Sequence, residues 1–388
     1  MRADTPGCAH RNHLNNAGSS LMPAPVLAAL QDHVRLEAEI GGYEAAAAAA
    51  EGVAGAYRSV AALLGTSPDQ VAFTEHATAS FVAALSAVRF RPGDVLLTTR
   101  NDYISNQIQY LALADRFGVD VVRAPDAPEG GVDLQAMEGL IHRRRPRLVA
   151  ATQIPTNSGL VQDVAAIGRM CRSRDILFLV DACQSVGQMP VDPEAMGCDF
   201  LSATARKFLR GPRGAGFLWV SRRALDAGLE PLFPDMRGAD WIADDLYQPA
   251  PTARRFETWE FAWSLVLATG AAAAYAGALD MNAIQARVRD LAERLRSGLA
   301  ALDGVRVLDR GRELCAIVTM TAEGHPADAL MTSLRERGIN TTAQQTGDAL
   351  LDYEAKGTPG ALRLSPHYFN TEAEVDAAVD ALREILKR

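Results

Sequence analysis

The chain has 388 residues, of which 48% are hydrophobic and 22% charged, with 39 basic and 47 acidic side chains and a net charge of −8. These proportions suit a globular chain long enough for two or three domains and exclude disorder, collagen and coiled coil. The acidic surplus argues against general affinity for nucleic acid or an anionic membrane. No apolar stretch reaches the roughly 18 residues of a spanning helix, and Met1–Asn15 has no apolar signal core. The five cysteines (Cys8, Cys171, Cys183, Cys198, Cys315) are odd in number, with no C-x-x-C pair, so a reducing cytoplasmic setting is expected.

In chain order, Pro23–Glu39 and Glu44–Leu64 are expected as Ala-rich helices from apolar spacing of three and four. Strands and helices then alternate. Strands are expected at Val71–Thr74, Val95–Thr99, Asp120–Arg123, Arg147–Thr152, Ile176–Val180, Asp199–Ala203 and Gly216–Val220. Helices are expected from about Ala79, from Ser105, over Leu134–Arg143, and from the capping Asp163 to Ser173. This alternation predicts an α/β fold with a mostly parallel, doubly wound sheet, whose ligands sit at the carboxyl ends of the strands. A helix over Ala262–Ala278 leads to a smaller α+β unit. That unit has an amphipathic helix at Ile284–Leu302, strands at Val305–Val307 and Ala316–Met320, a helix at Ala327–Arg337, two short strands and a helix at Glu372–Leu386. The division is an arm over residues 1–22 packing with the small domain, a large domain over 23–265, and a connecting helix with the small domain over 266–388.

Of the 39 basic residues only three are lysines, Lys207, Lys356 and Lys387. Arginine cannot lose its proton at working pH, whereas a lysine can and then attacks a carbonyl. Lys387 is expected in a solvated tail and Lys356 in a solvated loop, which leaves Lys207. It follows the strand after the one that ends in Asp181, and a carboxylate at the end of so apolar a strand needs a partner. Neighbouring parallel strands bring Asp181 and Lys207 to one crevice. A lysine for a Schiff base and an acid for a pyridine nitrogen are what a pyridoxal phosphate site needs. The loop Thr74–Ser80, with Ala77 and Thr78 opening a helix, offers backbone amides and a hydroxyl to a phosphate.

The stretch Val180-Asp181-Ala-Cys-Gln184-Ser-Val-Gly-Gln, then Thr204-Ala-Arg206-Lys207 and Gly211-Pro-Arg-Gly214, resembles the class V aminotransferase family. The likeness runs from His13-Leu-Asn-Asn16 to Leu362-Arg363 and on to Asn370-Thr. The resemblance implies fold type I, the cofactor pyridoxal 5′-phosphate, and an amino-acid substrate. It implies that Lys207 carries the cofactor and shuttles the α-proton, that Asp181 pairs with the pyridine nitrogen, and that Gln184 hydrogen-bonds the phenolate oxygen. Tyr103 falls at the position of the ring-stacking aromatic or histidine. Ala77, Thr78, Thr204 and Arg206 line the phosphate, with Thr204 and Arg206 replacing the Ser and His of many relatives. Asn157 faces the cofactor oxygen and the substrate carboxylate, Arg363 clamps that carboxylate, and Asn16 joins the substrate side. A homodimer with shared active sites is implied, with Trp259 of Arg254-Arg-Phe-Glu-Thr-Trp259 reaching the partner's phosphate.

The family's cysteine desulfurases carry a nucleophilic cysteine shortly before the carboxylate arginine. Here the stretch Thr341–Tyr353 contains none. Cys315 lies in an apolar run and is expected in the core, and Cys183 is expected to pack behind its strand. The favoured reaction is therefore β-elimination, a carbon–sulfur lyase acting on cysteine or a cysteine conjugate without a protein persulfide. The alternatives are a class V aminotransferase and an epimerase of the isopenicillin N type. The seven histidines lack metal-ligand spacing, so no metal is expected, and Arg143-Arg-Arg-Pro-Arg147 reads as a solvated helix end.

Overall fold

A computed structural model describes residues 1–387. Seven strands form the central sheet: β1 (Val71–Thr74), β2 (Val95–Thr99), β3 (Asp120–Ala124), β4 (Leu148–Thr152), β5 (Leu177–Asp181), β6 (Phe200–Thr204) and β7 (Gly216–Val220), in the order β1-β7-β6-β5-β4-β2-β3. All run parallel except β7, which is antiparallel to both β1 and β6. β2, β4, β6 and β7 are buried along their whole length. That explains their nearly unbroken apolar sequences, because helices cover both faces. Alternate residues divide between the two covers. Phe178, Val180, Leu201 and Trp219 join one core cluster, while Leu179, Phe200, Leu218 and Val220 join the other.

One cover includes the helix Trp263–Gly277, laid on Ala24–Ile40 and Ala50–Leu64. Its small residues permit the close approach. A Cβ on Gly270 would stand 2.4 Å from the Cβ of Ala56. The expected helix over Glu44–Leu64 is broken at Ala49, giving Gly42–Ala48 and Ala50–Leu64.

The smaller sheet has four antiparallel strands, β8 (Val305–Val307), β9 (Val318–Ala322), β10 (Thr342–Gln345) and β11 (Gly360–Leu364), in the order β8-β9-β11-β10. The N-terminal segment joins this unit. Asn12–His13 pairs in parallel with Ile339–Asn340, Asn15 bridges Ser365, and Arg2 meets Glu374 at 2.8 Å. It also touches the larger unit, where Arg210 donates to the Leu21 carbonyl and the Thr5 hydroxyl.

Several elements escaped the sequence patterns, among them short helices at Pro193–Met196 and Arg222–Asp226. An exposed hairpin joins Ala239–Ala243 to Leu246–Pro249. A helix spans Leu350–Lys356 where a loop was expected. Lys356 is the last residue of that helix and is buried, not solvated, with Nζ 2.6 Å from Asp352. Their i, i+4 spacing places the two charges on one face of the helix. Among the described residues no single helix is long and apolar enough to cross a membrane.

Candidate active site

A cavity of about 340 Å³ opens at the carboxyl ends of β4, β5 and β6. Register decides what meets there. Thr152 at the end of β4 stands opposite Asp181 at the end of β5, which stands opposite Ser202 in β6. The turn after β6 then carries Lys207 back over the crevice.

That turn is tightly held. Arg210 has φ +65°, and its buried guanidinium donates to Thr5, Leu21 and the Tyr368 hydroxyl. The His367 ring meets the Phe208 carbonyl at 2.8 Å. Gly187 has φ +95°, and a Cβ there would stand 2.3 Å from the Phe208 backbone. Only glycine lets the two loops touch at this conformation.

Lys207 Nζ lies 5.9 Å from the centroid of the Tyr103 ring. Burial lowers the Lys207 pKa from its ordinary value, against the pull of Cys183 and Asp181. A buried amine biased toward its neutral form is a nucleophile. Asp181 accepts from the Cys183 backbone N–H at 2.9 Å and from Asn106 Nδ2 at 3.2 Å.

At the other end of the cavity His76, Ala77 and Thr78 open the helix Ala77–Ser86. His76 Nδ1 caps that helix by accepting from the Ala79 N–H at 3.0 Å. Thr204, Arg206, Arg213 and Gly214 complete this end. A helix N-terminus with two arginines is a built anion cradle. Arg206 is itself tied to the Gly18 carbonyl.

Arg363 in β11 is buried, and burial lowers its pKa to about 10. Its Nη1 donates to the Thr156 carbonyl at 2.9 Å and hydroxyl at 2.6 Å, and Nη2 donates to Asn15 Oδ1 at 3.3 Å. Its Nε–H has no partner. An unmet buried guanidinium donor is costly unless an anion arrives. Thr156 and Asn15 thus hold the two Nη groups, and the buried Nε–H is left without a protein partner.

Lys207, Asp181, Gln184, Tyr103, Ala77, Thr78, Thr204 and Arg206 all line this cavity. Four expected residues do not: Arg363, which reaches the cavity only through the lining residue Thr156, and three others. Asn16 is wholly buried, with its amide donating to the Ser365 and His13 carbonyls and accepting from Ser20, and it is Asn15 that meets Arg363. Asn157, also buried, donates to Asn101 at 3.1 Å and Asp352 at 2.7 Å, and its neighbour Thr156 lines the cavity instead. Trp259 is half exposed, its backbone N–H on Asp235, outside the cavity of its own chain.

Gln184 is in place but differently engaged. Its Nε2 donates to the Ala17 carbonyl and the Thr156 hydroxyl, and its Oε1 is unpartnered. Cys183 lines the cavity rather than packing behind the strand. Burial and Asp181 push its thiol pKa well above the usual value. Sequence reasoning missed Asn106, Thr152 and Thr156. Only Asn106 carried a signal: it sits three residues after Tyr103, one helical turn on.

Over residues 12–378 the chain matches the family described as "Aminotransferase class-V". It belongs to that family. It is 28% identical to a "Probable cysteine desulfurase" of Methanothermobacter thermautotrophicus over 99% of this chain and 97% of the relative. It is 31% identical to a "Probable hercynylcysteine sulfoxide lyase" of Mycobacterium tuberculosis over 95% of this chain and 89% of the relative. The fold superposes on the apo cysteine desulfurase of Thermococcus onnurineus NA1 with a TM-score of 0.91, at 23% identity, covering 100% of this chain and 97% of that one. It also superposes on the cystine C–S lyase C-DES, solved with its product cysteine persulfide, with a TM-score of 0.87 at 22% identity, covering 98% and 99%. The protein is thus a fold-type I enzyme of class V, and its cofactor is pyridoxal 5′-phosphate. The residues fit that group: a lysine biased toward its free amine, an acid lining the same cavity, and an anion cradle.

Proposed function

We propose that the enzyme catalyses β-elimination at the carbon–sulfur bond of cysteine or a cysteine conjugate, without a persulfide on the protein. When bound, pyridoxal phosphate supplies an electron sink for the substrate's α-carbon. The remaining work belongs to the chain. The His76–Thr78 helix start with Arg206 and Arg213 holds the phosphate. Asp181 would keep the ring nitrogen protonated, and Tyr103, whose ring centroid is 5.9 Å from Lys207 Nζ, would flank the ring. Arg363 would take the substrate carboxylate through its unpartnered Nε–H, with Nη2 exchanging Asn15 for the second oxygen. Lys207 Nζ would remove the α-proton. A thiolate or sulfenate then leaves the β-carbon at low basicity, with no second nucleophile needed.

The observation that carries the reading is the state of the cysteines. Thr341–Tyr353 has none, Cys315 is buried in a core cluster, and at the cavity burial and the nearby Asp181 push the Cys183 thiol pKa up. The thiolate is the nucleophile in persulfide chemistry. The lyase among the relatives supports the same direction. The test is incubation with cysteine S-conjugates and no keto acid. Catalytic release of pyruvate, ammonia and thiol by both the native enzyme and Cys183→Ser is the expected result. Turnover only after keto acid is added would assign transamination. A cysteine-bound persulfide required for turnover would assign desulfurase chemistry.

A further inference from the structure

Asp102 is a buried carboxylate to which the reaction above gives no task. It precedes Tyr103 and is only 4% exposed. Five donors converge on it. Oδ1 accepts from the Tyr103 backbone N–H at 2.6 Å, from Asn106 Nδ2 at 3.0 Å and from the Thr152 hydroxyl. Oδ2 accepts from the hydroxyls of Thr98 at 3.2 Å and Tyr110 at 3.0 Å. Three of those residues, Tyr103, Asn106 and Thr152, line the cavity.

The Tyr103 N–H and the Asn106 amide N–H can only donate, and an ionised carboxylate is acceptor-only. The donor set therefore fits the charged form, although burial pushes the Asp102 pKa up. Asn106 Nδ2 donates to Asp102 and to Asp181 alike, so one amide group ties the two carboxylates together.

Their charge balance sets them apart. The enclosed carboxylates of Asp199, Glu257 and Asp309 each have an arginine, at 2.5, 2.7 and 3.0 Å. Among the described residues neither Asp102 nor Asp181 has a cation within ion-pair distance. Two linked carboxylates without a counter-charge are unfavourable unless a cation comes to them. A protonated pyridine ring facing Asp181 is such a cation.

We propose that Asp102 is a positioning residue for the ring-nitrogen site: through the shared Asn106 amide it fixes Asp181, and its own charge holds a proton on the cofactor's pyridine nitrogen. This rests on Asp181 facing that nitrogen but not on the choice of elimination over transamination. The other titratable groups around the pair are Tyr103 and Tyr110 from the segment after β2, Cys183 after β5, and Lys207 after β6.

The test uses holoenzyme reconstituted with pyridine-¹⁵N-labelled pyridoxal phosphate. The ¹⁵N shift is followed against pH, alongside α-hydrogen exchange of a bound amino acid in deuterated water. Asp102→Asn should move the ring's deprotonation midpoint down by about one pH unit, a tenfold loss of proton affinity. It should slow exchange about tenfold and change cofactor affinity less than twofold. An unmoved midpoint in a folded Asp102→Asn enzyme overturns the proposal. If that variant does not fold, Asn106→Ala should move the midpoint in the same direction, and no movement there is equally fatal. Asp181→Asn is the control. Should it leave the ¹⁵N signal in place, the placement of the ring itself is wrong.

Discussion

At the residue scale, scarcity was the most informative signal. A chain that uses arginine for nearly every positive charge keeps a lysine at 207, and the structure encloses it beside Asp181 and Tyr103. Lys207→Ala should abolish the borohydride-reducible adduct with the cofactor, and mass spectrometry of the reduced protein checks this. A lysine adduct elsewhere would reassign the site. Arg363→Ala should raise KM for amino acids about ten- to a hundredfold, since a hydrogen-bonded charge contact contributes roughly 1.5–3 kcal/mol. The cofactor spectrum should not change, and an amine lacking the carboxylate should bind native and variant enzyme equally. Asn15, Thr152 and Thr156 were not legible, because each acts through a partner more than 40 residues away in the chain. Thr156 meets Arg363, and Thr152 meets Asp102. Local pattern carries no trace of such pairs.

At the element scale, periodicity found the seven strands of the central sheet to within a residue, because strands buried on both faces are runs of apolar residues. The helix Leu350–Lys356 went unseen, since a seven-residue element ending in Gly357 has too few turns for periodicity to register. It is held by the buried Lys356–Asp352 pair, and Asp352 also accepts from Asn157. Removing one partner of a buried pair strands the other. Lys356→Ala should therefore cost about 3 kcal/mol, read as a lowered unfolding midpoint, with faster amide exchange over residues 346–357. Lys356→Met, which keeps the packing stem but not the charge, should not restore the loss. Gly187→Ala should be worse for function than for folding, because the added Cβ pushes on the Phe208 backbone next to Lys207. The measurement is the fraction of purified protein that takes up cofactor.

At the scale of the whole molecule, the exposed hairpin and its approach present Phe233, Met236, Trp241, Ile242 and Leu246 to solvent, with Trp259 nearby in sequence. So many exposed apolar side chains on one hairpin and its approach fit burial against a second copy. We expect a homodimer by light scattering, converted to monomer by Trp241→Glu with Phe233→Glu. A monomeric native enzyme of full activity would refute it. The amino-acid sequence by itself determined the class of fold, the family and the cofactor, and it singled out a lysine and an acid that the structure brings to one cavity. Those depend on short apolar runs and on residue chemistry, which are local properties. Tertiary structure alone decided that Asn15 rather than Asn16 meets Arg363, that Cys183 faces the cavity, that Lys356 is buried, and that Asp102 stands behind Asp181. Each of these depends on which way a side chain turns once distant segments meet. That direction is set by packing and by the need to pair every buried polar group, and neither acts until the chain has folded.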